Sequence, residues 1–242
     1  MKIFIAGTAG DKNLILNNRP KYVLESFYYI TEWQKELIKK CDMFLLDSGA
    51  FTFMSNSKKK VDWDEYLEMY AKFIVENNVQ YFFELDIDVI VGYEKVKEMT
   101  RKLEEKTKRK CIPVWHRNRG IDEWERLTKE YDYVAIGGFA IKEIKKTEYK
   151  YIPELLKIAK KNNCKVHGLG FTQTSELNKY DFFSVDSTTW LQARRFGELT
   201  QFRYNKMVRV KTDKKTKKGK NEIIEYNLRQ WLKYQEYADK CM

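Results

Sequence analysis

The chain has only three prolines, no stretch rich in Ser and Gly, and no run approaching the roughly 18 consecutive apolar residues of a membrane-spanning helix. Lacking a linker-like segment, residues 1–242 read as a single domain. Lacking a long apolar run, they read as a cytoplasmic protein with no membrane partner. The opening Met1-Lys2-Ile3-Phe4-Ile5-Ala6-Gly7 is too short an apolar run for a secretory signal. The four cysteines, Cys41, Cys111, Cys164 and Cys241, are scattered, and no two share the spacing of a zinc half-site. Neither a zinc site nor a disulfide framework is expected, and no cofactor is called for.

Acidic excess is also missing. The formal net charge is +11, and residues 206–220 hold eight Lys or Arg against one Asp, a local net charge of +7. Such a concentrated basic segment favours an anionic partner, nucleic acid above all. Hydrophobic residues make up 43% of the chain, ample for a buried core at this length. Most of the many aromatic residues belong to that core, although Tyr, Phe and Trp rings also stack on bases.

Short apolar runs recur at 3–6, 43–46, 81–85, 111–115, 133–136, 165–169 and 182–185. Between them lie helical spacings, such as Trp63, Leu67, Tyr70 and Ile74, and later Ile152, Leu155, Leu156, Ile158 and Ala159. Strands apolar on both faces and alternating with helices predict a parallel sheet covered by helices. Seven or eight such units in this length imply an α/β fold of the (β/α)₈ barrel type. An open doubly wound sheet calls for a Gly-rich turn after the first strand, of which Gly7-Thr8-Ala9-Gly10 is a faint echo. Towards the C-terminus, 207–211 and 222–226 flank the lysine-rich 212–220 and predict a basic β-hairpin. Asn227 would then cap a last helix carrying Leu228, Trp231, Leu232 and Tyr234.

Two apolar runs close on an acid in the same way, at Asp47-Ser48-Gly49 and at Asp186-Ser187. In a parallel barrel all strand ends of one kind face the same side, where that fold collects its functional groups. Other strand ends contribute Glu84, Asp86 and Asp88, His116 with Arg117, Gly137-Gly138, and His167-Gly168-Leu169-Gly170. Two converging carboxylates suit displacement at a sugar carbon or metal binding. Glycines at strand ends let main-chain N–H groups approach a ligand, and the set includes no lysine or cysteine nucleophile. That inventory matches base exchange at a nucleoside, in which one carboxylate attacks the anomeric carbon and a second group handles protons.

The ordered motifs Asp47-Ser48-Gly49-Ala50-Phe51, Ile136-Gly137-Gly138-Phe139-Ala140, Gly168-Leu169-Gly170-Phe171 and Val185-Asp186-Ser187 resemble those of the tRNA-guanine transglycosylase superfamily. More particularly, the chain resembles the small phage and bacterial members, which include enzymes that place 7-deazaguanines into DNA. The resemblance spans roughly residues 43–190. It implies Asp186 as nucleophile, Asp47 as general acid/base, Asp86 as reader of the guanine-type edge, Gly138 as donor to the base carbonyl, and Phe51 against the ring. Asp88, Ser48, Gly137 and Phe139 belong to the same candidate substrate-binding set. His116 stands where the family usually has a base-contacting glutamine. The zinc subdomain of three Cys and one His that the tRNA enzymes carry has no counterpart here, so the basic segment, with Arg209, Lys214, Lys215, Lys217 and Lys218, takes its place as the candidate nucleic-acid contact. The implied partners are DNA, favoured, or tRNA, together with a 7-deazaguanine base.

Each residue also has a structural reading. Asp47 and Asp186 are placed to cap the loop or helix beyond each strand, Asp86 or Asp88 to pair with a basic side chain, and the lysine run to be a solvated tip. Trp115 and Trp190 are the tryptophans nearest strand ends. Two rival functions stand beside base exchange. One is a metal-dependent phosphohydrolase with Asp47, Asp86, Asp88, His116 and Asp186 as ligands; the other is a non-catalytic nucleic-acid-binding barrel. The sequence leaves open DNA against RNA, the substituent of the incoming base and the oligomeric state.

Overall fold

The computed structural model describes residues 1–49, 52, 61–141, 143–171, 177–191, 199–210 and 219–242. Eight parallel strands form its centre: β1 (Lys2–Ala6), β2 (Tyr22–Ser26), β3 (Met43–Asp47), β4 (Tyr81–Phe82), β5 (Val114–Trp115), β6 (Tyr133–Ile136), β7 (Lys165–Gly168) and β8 (Ser184–Ser187). The sheet runs β4-β3-β2-β1-β8-β7-β6-β5. Its two ends meet at a parallel bridge between Phe83 and Ile112, where Glu84 N–H donates to the Ile112 carbonyl at 3.1 Å. The sheet is thereby curled into an α/β barrel of the (β/α)₈ type, as the alternation of apolar runs and helical spacings predicted. The strand that escaped the sequence pattern is β2, whose apolar stretch is only Tyr22-Val23-Leu24.

The period-two alternation of each strand separates two cores. Phe4, Ala6, Leu24, Leu45, Phe83, Val114 and Ala135 fill the barrel interior. Ile3, Ile5, Val23, Phe44, Leu46 and Ile136 face outward into the layer shared with the helices. The covering helices are α1 (Lys12–Asn18), α2 (Lys35–Lys40), α3 (Trp63–Glu76), α4 (Asp88–Val91), α5 (Tyr93–Thr107), α6 (Gly120–Glu130) and α7 (Ile152–Lys161). Helix α3 begins where the Asp62 carboxylate accepts the Asp64 and Glu65 N–H groups, and it buries Leu67, Tyr70 and Ile74.

The C-terminal region departs from expectation. The hairpin is built from β9 (Leu199–Arg203) and β10 (Lys206–Val210), paired antiparallel around Tyr204 and Asn205. Residues 222–226 are not its second strand: they lie in α8 (Lys220–Cys241), which packs on the hairpin and on β1. Ile223, Ile224, Leu228, Trp231, Tyr234 and Ala238 recur at helical spacing, and that longer period outweighs the local Ile-Ile pair. Asn227 is therefore inside the helix rather than at its cap, and its side chain accepts the Thr200 N–H of β9 at 2.9 Å. Lys214, Lys215, Lys217 and Lys218 lie outside the described residues, as does Phe51. No helix among the described residues is long and apolar enough to cross a membrane.

Candidate active site

At the C-terminal ends of the strands a cavity of about 520 Å³ opens, bordered by Glu25, Asp47, Asp86, His116, Gly138, Gly170 and Asp186. Barrel closure brings these residues together, because each lies near or just beyond the C-terminal end of a different strand. Asp47 ends β3 and accepts the Gly49 N–H at 2.9 Å. Burial pushes its carboxyl up to about 6; the Gly49 hydrogen bond opposes this, while the negative charges of Asp86 and Asp186 add to it. Three of the sequence-identified acids thus share one electrostatic neighbourhood.

Asp186 lies in β8 and accepts the Gly170 N–H at Oδ1, 2.5 Å away. Gly170 has φ of 72°, a conformation that costs an L side chain and lets its amide turn toward Asp186. Asp86 receives His116 Nε2 at 2.9 Å, and Nδ1 of the same ring meets Glu143 Oε2 at 2.8 Å. Burial alone would lower the imidazole, but the hydrogen bonds and charge from Asp86 and Glu143 outweigh it and hold it at about 9. His116 is therefore an imidazolium at neutral pH, with both nitrogens donating to carboxylates. Gly137 sits directly behind it: a Cβ there would come within 2.8 Å of the ring and of Val114, so only glycine admits this placement.

Arg119 completes the arrangement beneath Asp86. Its side chain, 2% exposed, reaches Asp88 at 3.0 Å, Glu84 at 3.3 Å and Asp86 at 3.5 Å, and lies over the Tyr93 ring. Asp86, Asp88 and His116 each offer a ligand atom within 4.8 Å of the others. In this arrangement, however, Asp88 is turned to the guanidinium and both His116 nitrogens are committed to carboxylates. Two protein cations, His116 and Arg119, thus already occupy the carboxylate oxygens that a metal would otherwise take.

Several sequence candidates lie elsewhere. Ser48 is wholly buried, its carbonyl accepting the Tyr66 hydroxyl at 2.6 Å, and it does not border the cavity. Phe139 packs in an aromatic cluster with Tyr149, Phe171 and Phe182. Asp88 opens α4 and Gly137 backs His116, so of the paired glycines Gly138 alone borders the cavity. Arg209 is exposed on β10, outside the cavity lining. Trp115 and Trp190 are buried, with their indole N–H groups donating to the Gly120 and Ala6 carbonyls.

Glu25 was not anticipated. It occupies β2, is 2% exposed, and its Oε1 accepts the Thr8 N–H at 3.1 Å and the Thr8 hydroxyl. Burial pushes its carboxyl up to about 7, against the Thr8 and Gln34 hydrogen bonds. Glu143 and Arg119 were equally silent, since neither ends an apolar run.

The fold and cavity define an α/β barrel carrying a carboxylate-rich site at its C-terminal strand ends. No protein-family model and no curated protein matches the chain. Among solved structures it is similar to a variant of the citrate synthase SbnG, with 7% identity, a TM-score of 0.49, and coverage of 81% of this chain and 89% of that one. It is also similar to a GH113 β-1,4-mannanase, with 13% identity, a TM-score of 0.39, and coverage of 69% and 70%.

Proposed function

We propose that this protein is an enzyme that exchanges guanine in a polynucleotide, DNA in preference to tRNA, for a 7-deazaguanine derivative. The observation that carries the reading is the convergence of Asp186, Asp47 and the His116-paired Asp86 on one cavity. Asp186 attacks the anomeric carbon, forming a carbon–oxygen bond as the glycosidic C–N bond breaks, and the departing guanine takes a proton from Asp47. A carboxyl with its pKa held near 6 suits that exchange of protons near neutral pH. The incoming base returns its proton to Asp47 and attacks the same carbon, which releases Asp186 with net retention.

Asp86, flanked by His116 and Arg119, is suited to accept from the N–H groups of a guanine-type edge. The Gly138 N–H would donate to the base carbonyl. Neither step requires a redox cofactor. The test is incorporation of radiolabelled guanine into DNA and into tRNA, in parallel, by wild type and Asp186→Ala with chelator present. Label entering one polymer with wild type alone is expected; equal incorporation by Asp186→Ala, or none by wild type into either polymer, would overturn the reading.

A further inference from the structure

One buried histidine has no part in the chemistry above. His167, in β7, is fully enclosed in the barrel among the rings of Phe4, Phe83 and Tyr133. Its Nε2 lies 3.2 Å from Asp186 Oδ1, and its Nδ1 lies 2.6 Å from the Ser184 hydroxyl. Ser184 is in turn hydrogen-bonded to the Tyr133 hydroxyl. The register explains why these groups meet. His167 pairs with Ser184 across β7 and β8, while Ser184 and Asp186 are two residues apart and share the inward face. A ring this deep in an apolar interior is costly unless both nitrogens are satisfied, and here every partner leads along one line to Asp186.

We propose that His167, held by Ser184 and Tyr133, is the positioning residue that orients the Asp186 carboxylate. A carboxylate only accepts, so Nε2 carries a proton and donates it to Oδ1. The Gly170 amide donates to the same oxygen. With Oδ1 engaged twice by the protein, Oδ2 is the oxygen presented to the sugar carbon. The buried Ser184–Tyr133 pair fixes the imidazole from behind, so the ring cannot turn away as the carboxylate reacts. The proposal rests on the transglycosylation reading for the reaction, but its geometry is measurable without any substrate.

The chain has only two histidines, so the imidazole ¹⁵N resonances of the wild-type protein can be assigned by comparison with His116→Gln. A proton on Nε2 of His167 is expected, with a resonance that moves in Asp186→Ala. A ring protonated at Nδ1 alone, or an Nε2–H signal indifferent to Asp186→Ala, would overturn the positioning role. In the exchange assay, His167→Leu should lower kcat by ~10–100-fold with KM little changed, as expected for loss of one charge-assisted hydrogen bond. His167→Gln, whose side-chain amide can still donate to Oδ1, should recover most of that loss. Equal kcat for wild type and His167→Leu would count against the proposal. A wild type that exchanges no base but shows the Nε2–H coupling would instead refute the transglycosylation reading and leave the positioning role standing.

Discussion

Glu25 shows how far one enclosed side chain can set the pH response of this molecule. Its folded carboxyl is raised from the usual 4.5 to about 7 by burial, so the folded state holds the proton more tightly than the unfolded state. That contribution to stability is complete below about 4.5 and is lost as pH rises through 7. Glu25→Gln keeps a carbonyl oxygen for Thr8 and carries no titrating proton. Urea midpoints should therefore favour the variant over wild type at pH 8 by on the order of 1–3 kcal/mol, with the advantage gone at pH 4. A wild-type-to-variant difference that is the same at both pH values would show that enclosure does not control this group. Asp47, Asp86, His116 and Asp186 were legible in the sequence because each stands at or just beyond the end of a clear apolar run. Glu25 was not, because the apolar stretch before it is three residues long and the aromatic run after it hides the strand end.

Among the elements, α8 joins the two ends of the chain's path. Gln235 Nε2 donates to the Ile3 carbonyl at 2.7 Å and the Tyr22 carbonyl at 3.1 Å, and its Oε1 accepts the Lys21 N–H at 3.0 Å. Asn227 serves β9 in a similar way. Gln235→Ala leaves these backbone groups without their partner and should lower stability by roughly 2–4 kcal/mol, against less than about 0.5 for the exposed Lys233→Ala. A denaturant midpoint for Gln235→Ala no lower than that of Lys233→Ala would remove this helix from its stapling role. Helices α3 and α7 and most strands were readable from periodicity. The hairpin was misplaced because Glu222-Ile223-Ile224-Glu225 satisfies both a strand and a helix over so short a window, and only the next two turns decide between them.

Over the whole molecule, +7 of the net charge of +11 falls in residues 206–220, which run from β10 to the first residue of α8. If, as proposed, the substrate is a polynucleotide and that segment contacts its phosphates, reversing Lys214, Lys215, Lys217 and Lys218 to Glu should weaken binding and reduce the slope of log affinity against log salt by roughly 3–4 at most. Fluorescence anisotropy of a labelled duplex across a salt series measures both. An unchanged slope would free the segment from any phosphate contact and leave its charge to solubility.

Sequence by itself determined the alternation of two-sided apolar strands with amphipathic helices, and hence a barrel whose strand-end acids point to one side, because side-chain period and apolar burial are local properties of the chain. Only the tertiary structure decided which acids share the cavity. Closure at Phe83 and Ile112 sets β4 beside β5, so that His116 becomes a cation between Asp86 and Glu143, and Arg119 neutralises Asp88. It also turned Ser48 and Phe139 away and set His167 behind Asp186. Such pairings join residues that lie tens of positions apart, and their energies exist only once water has been excluded from between them.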